Sequence, residues 1–181
     1  MRGCNARRLI EGEIPRLDAV DDDGVVAAVG AVQEAARRVD MDVGTGVLAP
    51  VVSRQQRVGL DVRERAGHRV VGQIAEIYLS KKAAKEVKKI LGTESLANVA
   101  NWMDFIKSEP TYDYMSPWHY CTIPDGQTYA EAGTPEEKDV IWALDKFKKE
   151  LMSDTTSLET KQIALKALVH LVGDIHQPLH V

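Results

Sequence analysis

Aromatic side chains are absent from the first 77 residues of this 181-residue chain, since the first is Tyr78. Lysine is likewise absent before Lys81, and arginine is absent after Arg69. All eleven arginines therefore lie in residues 1–69 and all twelve lysines in residues 81–181. One natural gene rarely divides its basic residues so sharply, so the composition predicts two segments of different origin.

The leading segment, residues 1–65, is predicted to fold poorly. It is rich in Val, Ala, Gly and Arg, and only Val25–Val39 has the pattern of a helix, preceded by the acidic run 21–23. Without aromatic residues, a segment of this size can bury only a marginal core. A fusion or a translation in another frame would explain it; a genuine second domain is the simpler alternative.

Other absences limit the possible function classes. No stretch approaches the ~20 apolar residues of a membrane span, and Met1–Val20 has no apolar run, so no signal peptide is predicted. The two cysteines, one in each segment, do not have zinc-finger spacing. A pI near 5.7 and a net charge of −4 give no global basic field for binding nucleic acid.

Histidine is concentrated near the end of the chain, where three of the five histidines and Asp174 lie within residues 170–180. His170 and Asp174 are four residues apart, which places both on one face of a helix. Pro178 predicts that this helix ends before His180, which could then fold back towards the same face. Imidazole and carboxylate are zinc ligands, and a buried ionisable cluster is costly unless it is paired or metal-bound. The pattern favours a metal site over a structural cluster of satisfied core residues.

Three residues elsewhere are candidates for the same site. His68 precedes an amphipathic run, His119 lies between Trp118 and Tyr120, and Asp104 lies on an apolar stripe where a carboxylate needs a partner.

Four segments together resemble the zinc-dependent single-strand nucleases of the S1/P1 type, which are related to the zinc phospholipases C. These segments are Gly67–Ala75, Leu96–Asp104, Trp118–Tyr120 and Ala167–His180. The resemblance covers about residues 67–181. It implies a mainly α fold, incomplete in this chain, in which residues 66–181 form the N-terminal part of a nuclease domain that holds three Zn²⁺ ions.

The resemblance also implies roles for individual residues. One zinc would be held by Asp104, His119 and His170, and Asp174 would bridge it to a second zinc held by His68. His180 matches a ligand of the third zinc. Lys107 matches a basic residue that faces the scissile phosphate, and Tyr120 lies near the position that stacks on a nucleobase. His176 matches no ligand, so a packing or supporting role is expected.

Two departures from the family pattern reduce the expected activity. Arg63 stands where the family has an amino-terminal Trp that binds the second zinc, and the remaining ligands of the third zinc would lie beyond Val181. We therefore expect about one bound zinc and little activity. The implied function is an endonuclease and 3′-nucleotidase acting on single-stranded DNA and RNA, secreted or periplasmic. The alternatives are an inactive metal-binding fragment and a phospholipase C-like zinc phosphodiesterase; oligomeric state is not predicted.

Five helices are predicted in the second segment, separated by a long loop over residues 108–134 that carries His119. The predicted ranges are Val70–Leu79, Lys82–Leu91, Ser95–Lys107, Thr134–Met152 and Thr156–His176. Ser80 is the predicted N-cap of the second helix. The fourth helix is predicted to have one apolar stripe, formed by Ile141, Leu144, Phe147 and Leu151.

Overall fold

The computed structural model describes residues 54–177 and residue 180, with side chains described from residue 65. Across this part of the chain the structure is helical and contains no strand, so the predicted mainly α fold is confirmed. The expectations for the leading segment, including a helix at Val25–Val39, fall almost entirely outside the described residues.

Seven α-helices and one 3-10 helix follow one another in the described residues. They are α1 Arg54–Tyr78, α2 Lys81–Leu91, α3 Leu96–Val99, α4 Trp102–Ile106, the 3-10 helix Pro110–His119, α5 Tyr129–Ala132, α6 Val140–Met152 and α7 Leu158–Asp174.

Side-chain caps define several of these boundaries. Ser80 Oγ accepts a hydrogen bond from the Ala83 N–H at 3.1 Å, which fixes the start of α2 as the sequence predicts. Gly92, with φ of 66°, ends α2 and donates its N–H to the Lys88 carbonyl. Ser157 caps α7 in the same way as Ser80 caps α2.

Three predicted boundaries were wrong. Helix α1 begins at Arg54 rather than Val70, and it passes through the predicted segment boundary at residue 65 without interruption. Residues 95–107 form two short helices rather than one, with a break at Ala100 and Asn101. The fourth predicted helix begins at Val140 rather than Thr134.

The late start of α6 has a local cause. Lys138 adopts a positive φ of 67°, a conformation that cannot continue an α-helix. Asp139 then caps α6 by accepting the Trp142 N–H at 3.0 Å. The buried face of α6 is Val140, Ala143, Phe147 and Leu151, so Phe147 and Leu151 lie on the buried face as predicted, while Val140 and Ala143 are buried there in place of Ile141 and Leu144.

Helix α7 lies at the centre of the fold and contacts α1, α2, α3, α4, α6 and the 3-10 helix. Nearly every residue from Ala164 to Ile175 is buried. A helix that is apolar on all sides is buried on all sides, so the composition of this segment explains its central position. No helix in the described residues has both the length and the apolarity needed to cross a membrane.

Candidate metal centre

The candidate site is assembled around the carboxyl end of α7. His170 and Asp174 lie on this helix, one turn apart, while α1 supplies His68 and α4 supplies Asp104. His119 is the last residue of the 3-10 helix. The three histidines and Asp174 are each at most 5% exposed. The fold therefore brings residues from four separate elements together in the interior.

Asp174 lies at the middle of this cluster, and its two carboxylate oxygens face different histidines. Oδ1 lies 3.2 Å from His68 Nε2. Oδ2 lies 2.9 Å from His119 Nδ1 and 3.3 Å from His170 Nε2. This arrangement allows one carboxylate to serve two neighbouring ligand groups.

A backbone carbonyl fixes the orientation of His170. The ring Nδ1–H donates to the Ala100 carbonyl at 2.7 Å, which leaves Nε2 as the nitrogen that faces the cluster. His170 Nε2 lies 3.2 Å from His119 Nδ1 and 3.9 Å from Asp104 Oδ1. Histidines that bind metals commonly donate their second N–H to a carbonyl in this way. Ala100 lies in the break between α3 and α4, and the role of its carbonyl could not be predicted from the sequence.

An aromatic cluster anchors the end of the 3-10 helix and therefore the position of His119. Trp118 is 5% exposed, with its ring centroid 5.2 Å from that of Trp142 and 5.9 Å from that of Phe147. These contacts pack Trp118, the residue before His119, against α6. His119 consequently reaches the cluster from a segment that the sequence predicted to be a loop.

Burial and the neighbouring charges shift the pKa values of the cluster residues in opposite directions. Burial would raise the pKa of the Asp174 carboxyl, but the charge of His170 and hydrogen bonds from the surrounding imidazoles hold that pKa well below its usual range. Burial would lower the pKa of His170, but the carboxylates of Asp174 and Asp104 outweigh this and raise it. For His119, burial prevails over the attraction of Asp174, so its pKa is lowered.

Two overlapping groups of side chains have donor atoms within 4.8 Å of one another. The first group is Asp104, His119 and His170, and the second is His68, His170 and Asp174. Four zinc ligands at ~2.0–2.2 Å lie roughly 3.3–3.5 Å from one another in a tetrahedron. The separations of 3.2–3.9 Å between His170 Nε2 and the donor atoms of His119, Asp174 and Asp104 are close to that spacing. The donor set therefore fits a zinc ion.

The buried ring nitrogens without a hydrogen-bond partner in the described part of the chain include Nδ1 of His68 and Nδ1 of His180. His180 Nε2 lies 4.0 Å from Asp174 Oδ1, and its backbone carbonyl accepts the Cys121 N–H at 2.9 Å. His180 thus folds back to the edge of the cluster, although it belongs to neither compact donor group. His176 instead donates Nδ1–H to the Val172 carbonyl within its own helical turn.

Lys107 and Tyr120 lie beside the cluster. Lys107 Nζ contacts Asp104 Oδ1 at 2.7 Å, and its side chain is half-exposed. Lys107 and His119 both line a cavity of about 160 Å³, together with Tyr112, Asp113 and Ser116 among others. Tyr120 follows His119 and is 49% exposed, so its ring is accessible from solvent.

Comparison with known proteins places this chain in a family. The S1/P1 nuclease family model matches residues 64–181. Endonuclease 4 of Arabidopsis thaliana is 33% identical over 132 residues, covering 65% of this chain and 44% of that protein. Nuclease S1 of Aspergillus oryzae is 32% identical over 123 residues, covering 63% of this chain and 42% of that protein. Endonuclease 3 of Arabidopsis thaliana is 36% identical over 127 residues, covering 64% of this chain and 42% of that protein.

The chain spans less than half the length of these curated relatives. No solved structure matches it significantly. The family model nevertheless covers well over half of the chain, including every candidate ligand from His68 to His180. The chain therefore belongs to the S1/P1 nuclease family.

Proposed function

We propose that the clustered histidines and aspartates bind zinc and that the chain serves in the hydrolysis of phosphodiester bonds in single-stranded DNA and RNA, with 3′-nucleotidase activity. The observation that carries this proposal is the convergence of imidazole and carboxylate donor atoms near His170 Nε2, which lies 3.2 Å from His119 Nδ1 and 3.3 Å from Asp174 Oδ2. Family membership supports the same conclusion.

The ligands divide between two zinc positions. His170 has a single ring nitrogen facing the cluster, because Nδ1–H is held by the Ala100 carbonyl. Its Nε2 therefore serves one ion, together with His119, Asp104 and Oδ2 of Asp174. The second position keeps His68 and Oδ1 of Asp174, with His180 at its edge. We accordingly expect one tightly bound zinc and a much weaker second one.

Zinc, when bound, supplies Lewis-acid chemistry that lowers the pKa of water and stabilises charge on phosphoryl oxygens. The chain's own contribution is to hold Asp174 ionised between the two positions, which its lowered pKa ensures at neutral pH. Lys107 adds a cation next to the first position, where it can neutralise a non-bridging phosphate oxygen.

Tyr120 is the proposed base-stacking residue. Its exposed ring follows a ligand directly in sequence, so a base stacked there would lie close to the zinc positions. Stacking on an aromatic ring requires an unpaired base, because a duplex hides the faces of its bases. This supports a preference for single strands. The relatives described above are named as nucleases or endonucleases, which favours nucleic acid over a phospholipid as substrate.

The direct test compares cleavage of one DNA sequence in single-stranded and duplex form, with the metal-stripped chain and with added zinc. Zinc-dependent cleavage is expected on the single strand, at a low rate because the second position has few ligands. His170→Ala should lower this rate at least about 10²–10³-fold. His176→Ala is the matched control, because it removes an imidazole that lies outside the donor groups.

Cleavage by His170→Ala at the parent rate would contradict the proposed site. Zinc binding without any zinc-dependent cleavage would support the alternative of an inactive metal-binding protein.

A further inference from the structure

The His68 imidazole fits into a space formed by three positions of α7. His170, Gly173 and Asp174 are at positions i, i+3 and i+4, so they lie on the same face of that helix, opposite His68 on α1. The His68 and His170 rings stack with centroids 4.0 Å apart and planes 22° from parallel. Asp174 Oδ1 approaches the Nε2 end of the same ring at 3.2 Å.

Gly173 provides the remaining side of this space. A Cβ atom at position 173 would lie 2.4 Å from His68 Nδ1 and 2.9 Å from His68 Cε1. Real Cβ contacts essentially never fall below 3.0 Å, so any side chain at this position would displace the ring. The ring has little room to move, because it is buried and stacked on His170.

The backbone does not require glycine at this position. Gly173 lies within α7 and does not have the positive φ found at Gly92, Gly126 and Gly133. Glycine in a helix interior costs about 1 kcal/mol relative to alanine. Alanine would therefore favour helix α7, and the nearby feature that excludes it is the His68 ring.

We propose that Gly173 is a positioning residue that holds the His68 imidazole against Asp174. It acts through absence of a side chain, which leaves room for the ring between α1 and α7. Displacement of His68 would disrupt the second donor group, His68, His170 and Asp174. The first group, Asp104, His119 and His170, does not contain His68 and should remain intact.

A double-mutant cycle measured by thermal unfolding of the metal-free, 181-residue chain tests whether Gly173 makes room for the His68 ring, without reference to zinc. Gly173→Ala should lower the Tm by several degrees in the parent chain. In a His68→Ala background the same substitution should leave the Tm unchanged or raise it, because the ring is gone and alanine favours the helix. If Gly173→Ala prevents folding, the double variant should restore it. An equal decrease in both backgrounds would overturn the proposal.

Gly67→Ala is the matched control, since it adds a methyl group one residue before His68 with nothing within 4 Å of the new Cβ. NMR provides a readout specific to positioning. The ring-proton resonances of His68 and His170 should shift in Gly173→Ala and stay unchanged in Gly67→Ala. Unchanged ring resonances in folded Gly173→Ala would overturn the proposal.

A zinc titration extends the test and rests on the proposed function. Gly173→Ala should weaken the second, lower-affinity zinc about 10–100-fold, the usual effect of losing support for a ligand, and should leave the first unchanged. Retention of both affinities would overturn the positioning role. If the parent chain binds no zinc, the proposed function fails, while the thermal cycle still decides whether Gly173 makes room for His68.

Discussion

A single buried carboxylate organises the candidate site at the residue scale. Asp174 contacts His68 through one oxygen and His119 and His170 through the other. The sequence predicted that His170 and Asp174 share a helix face, because a spacing of four residues determines this. It could not predict the Ala100 carbonyl or the room left by Gly173, because both depend on contacts between residues about 70 or more positions apart.

The charge of Lys107 provides a prediction at this scale. Lys107→Ala should weaken binding of a short single-stranded oligonucleotide to the zinc-loaded chain roughly 10–100-fold, because hydrogen bonds to charged groups contribute about 1.5–3 kcal/mol. Zinc affinity itself should change much less, because Lys107 does not supply a metal-ligating atom. Fluorescence anisotropy with a labelled oligonucleotide measures the effect.

Lys89→Ala is the matched control for this experiment. Lys89 contacts Glu86 three residues earlier at 2.6 Å, just as Lys107 contacts Asp104 at 2.7 Å, but Lys89 lies on α2 and outside the candidate site. Equal losses of oligonucleotide affinity in the two variants would indicate a general charge effect and would contradict a specific role for Lys107.

At the scale of the elements, local chemistry predicted some boundaries and missed others. Ser80 was predicted to cap α2 because its hydroxyl can satisfy an unpaired helical N–H, and it does so. The break between α3 and α4 was missed because apolar periodicity runs through it, while the Ala100 carbonyl is directed to His170. The start of α6 was missed because the Thr-Pro sequence resembles a helix start, whereas the positive φ of Lys138 delays it.

The packing of α1 against α3 depends on another glycine. A Cβ at Gly72 would lie 2.6 Å from the Leu96 carbonyl oxygen, which is backbone and cannot rotate away. Gly72→Ala should therefore destabilise the fold by about 1–3 kcal/mol, the usual cost of overpacking. Gly67→Ala, on the same helix with open space around its Cβ, should be neutral or stabilising. Chemical denaturation of the two variants measures the difference, and equal stabilities would contradict the close-packing argument.

Tyr129 connects α5 to the start of α6 through its hydroxyl group. Its Oη donates to Asp139 Oδ1 at 3.0 Å, and Asp139 in turn caps α6. Burial and the Asp139 carboxylate raise the pKa of Tyr129 to about 12, against the hydrogen bond with Thr134, which lowers it. Tyr129→Phe should cost about 0.5–1.5 kcal/mol at neutral pH, because one hydrogen bond is lost.

The pH dependence of that cost follows from the raised pKa. The neutral phenol stabilises the folded chain fully below pH ~10, the pKa of an unfolded tyrosine, and this contribution is lost as pH rises towards 12. The stability difference between the parent chain and Tyr129→Phe should therefore shrink between pH 10 and 12. Urea unfolding at a series of pH values measures it, and a difference that stays constant over this range would contradict the assignment.

For the whole molecule, the division of the chain into two segments stays a prediction. The family match begins at residue 64, close to the predicted boundary at residue 65, while aromatic residues and lysines begin at Tyr78 and Lys81. The mainly α fold and the family could be predicted from the sequence, because the histidine-rich segment Ala167–His180 is specific to this family. The origin of the leading segment stays a prediction, since that segment lies largely outside the described residues.

The central claim is that His170 is a ligand of the tight zinc site assembled around α7, and zinc titration of the metal-stripped chain tests it most directly. Calorimetry or native mass spectrometry should find one tightly bound zinc in the parent chain and in His176→Ala, and none in folded His170→Ala. Equal tight binding by the parent chain and His170→Ala, or no binding by the parent chain, would contradict the account.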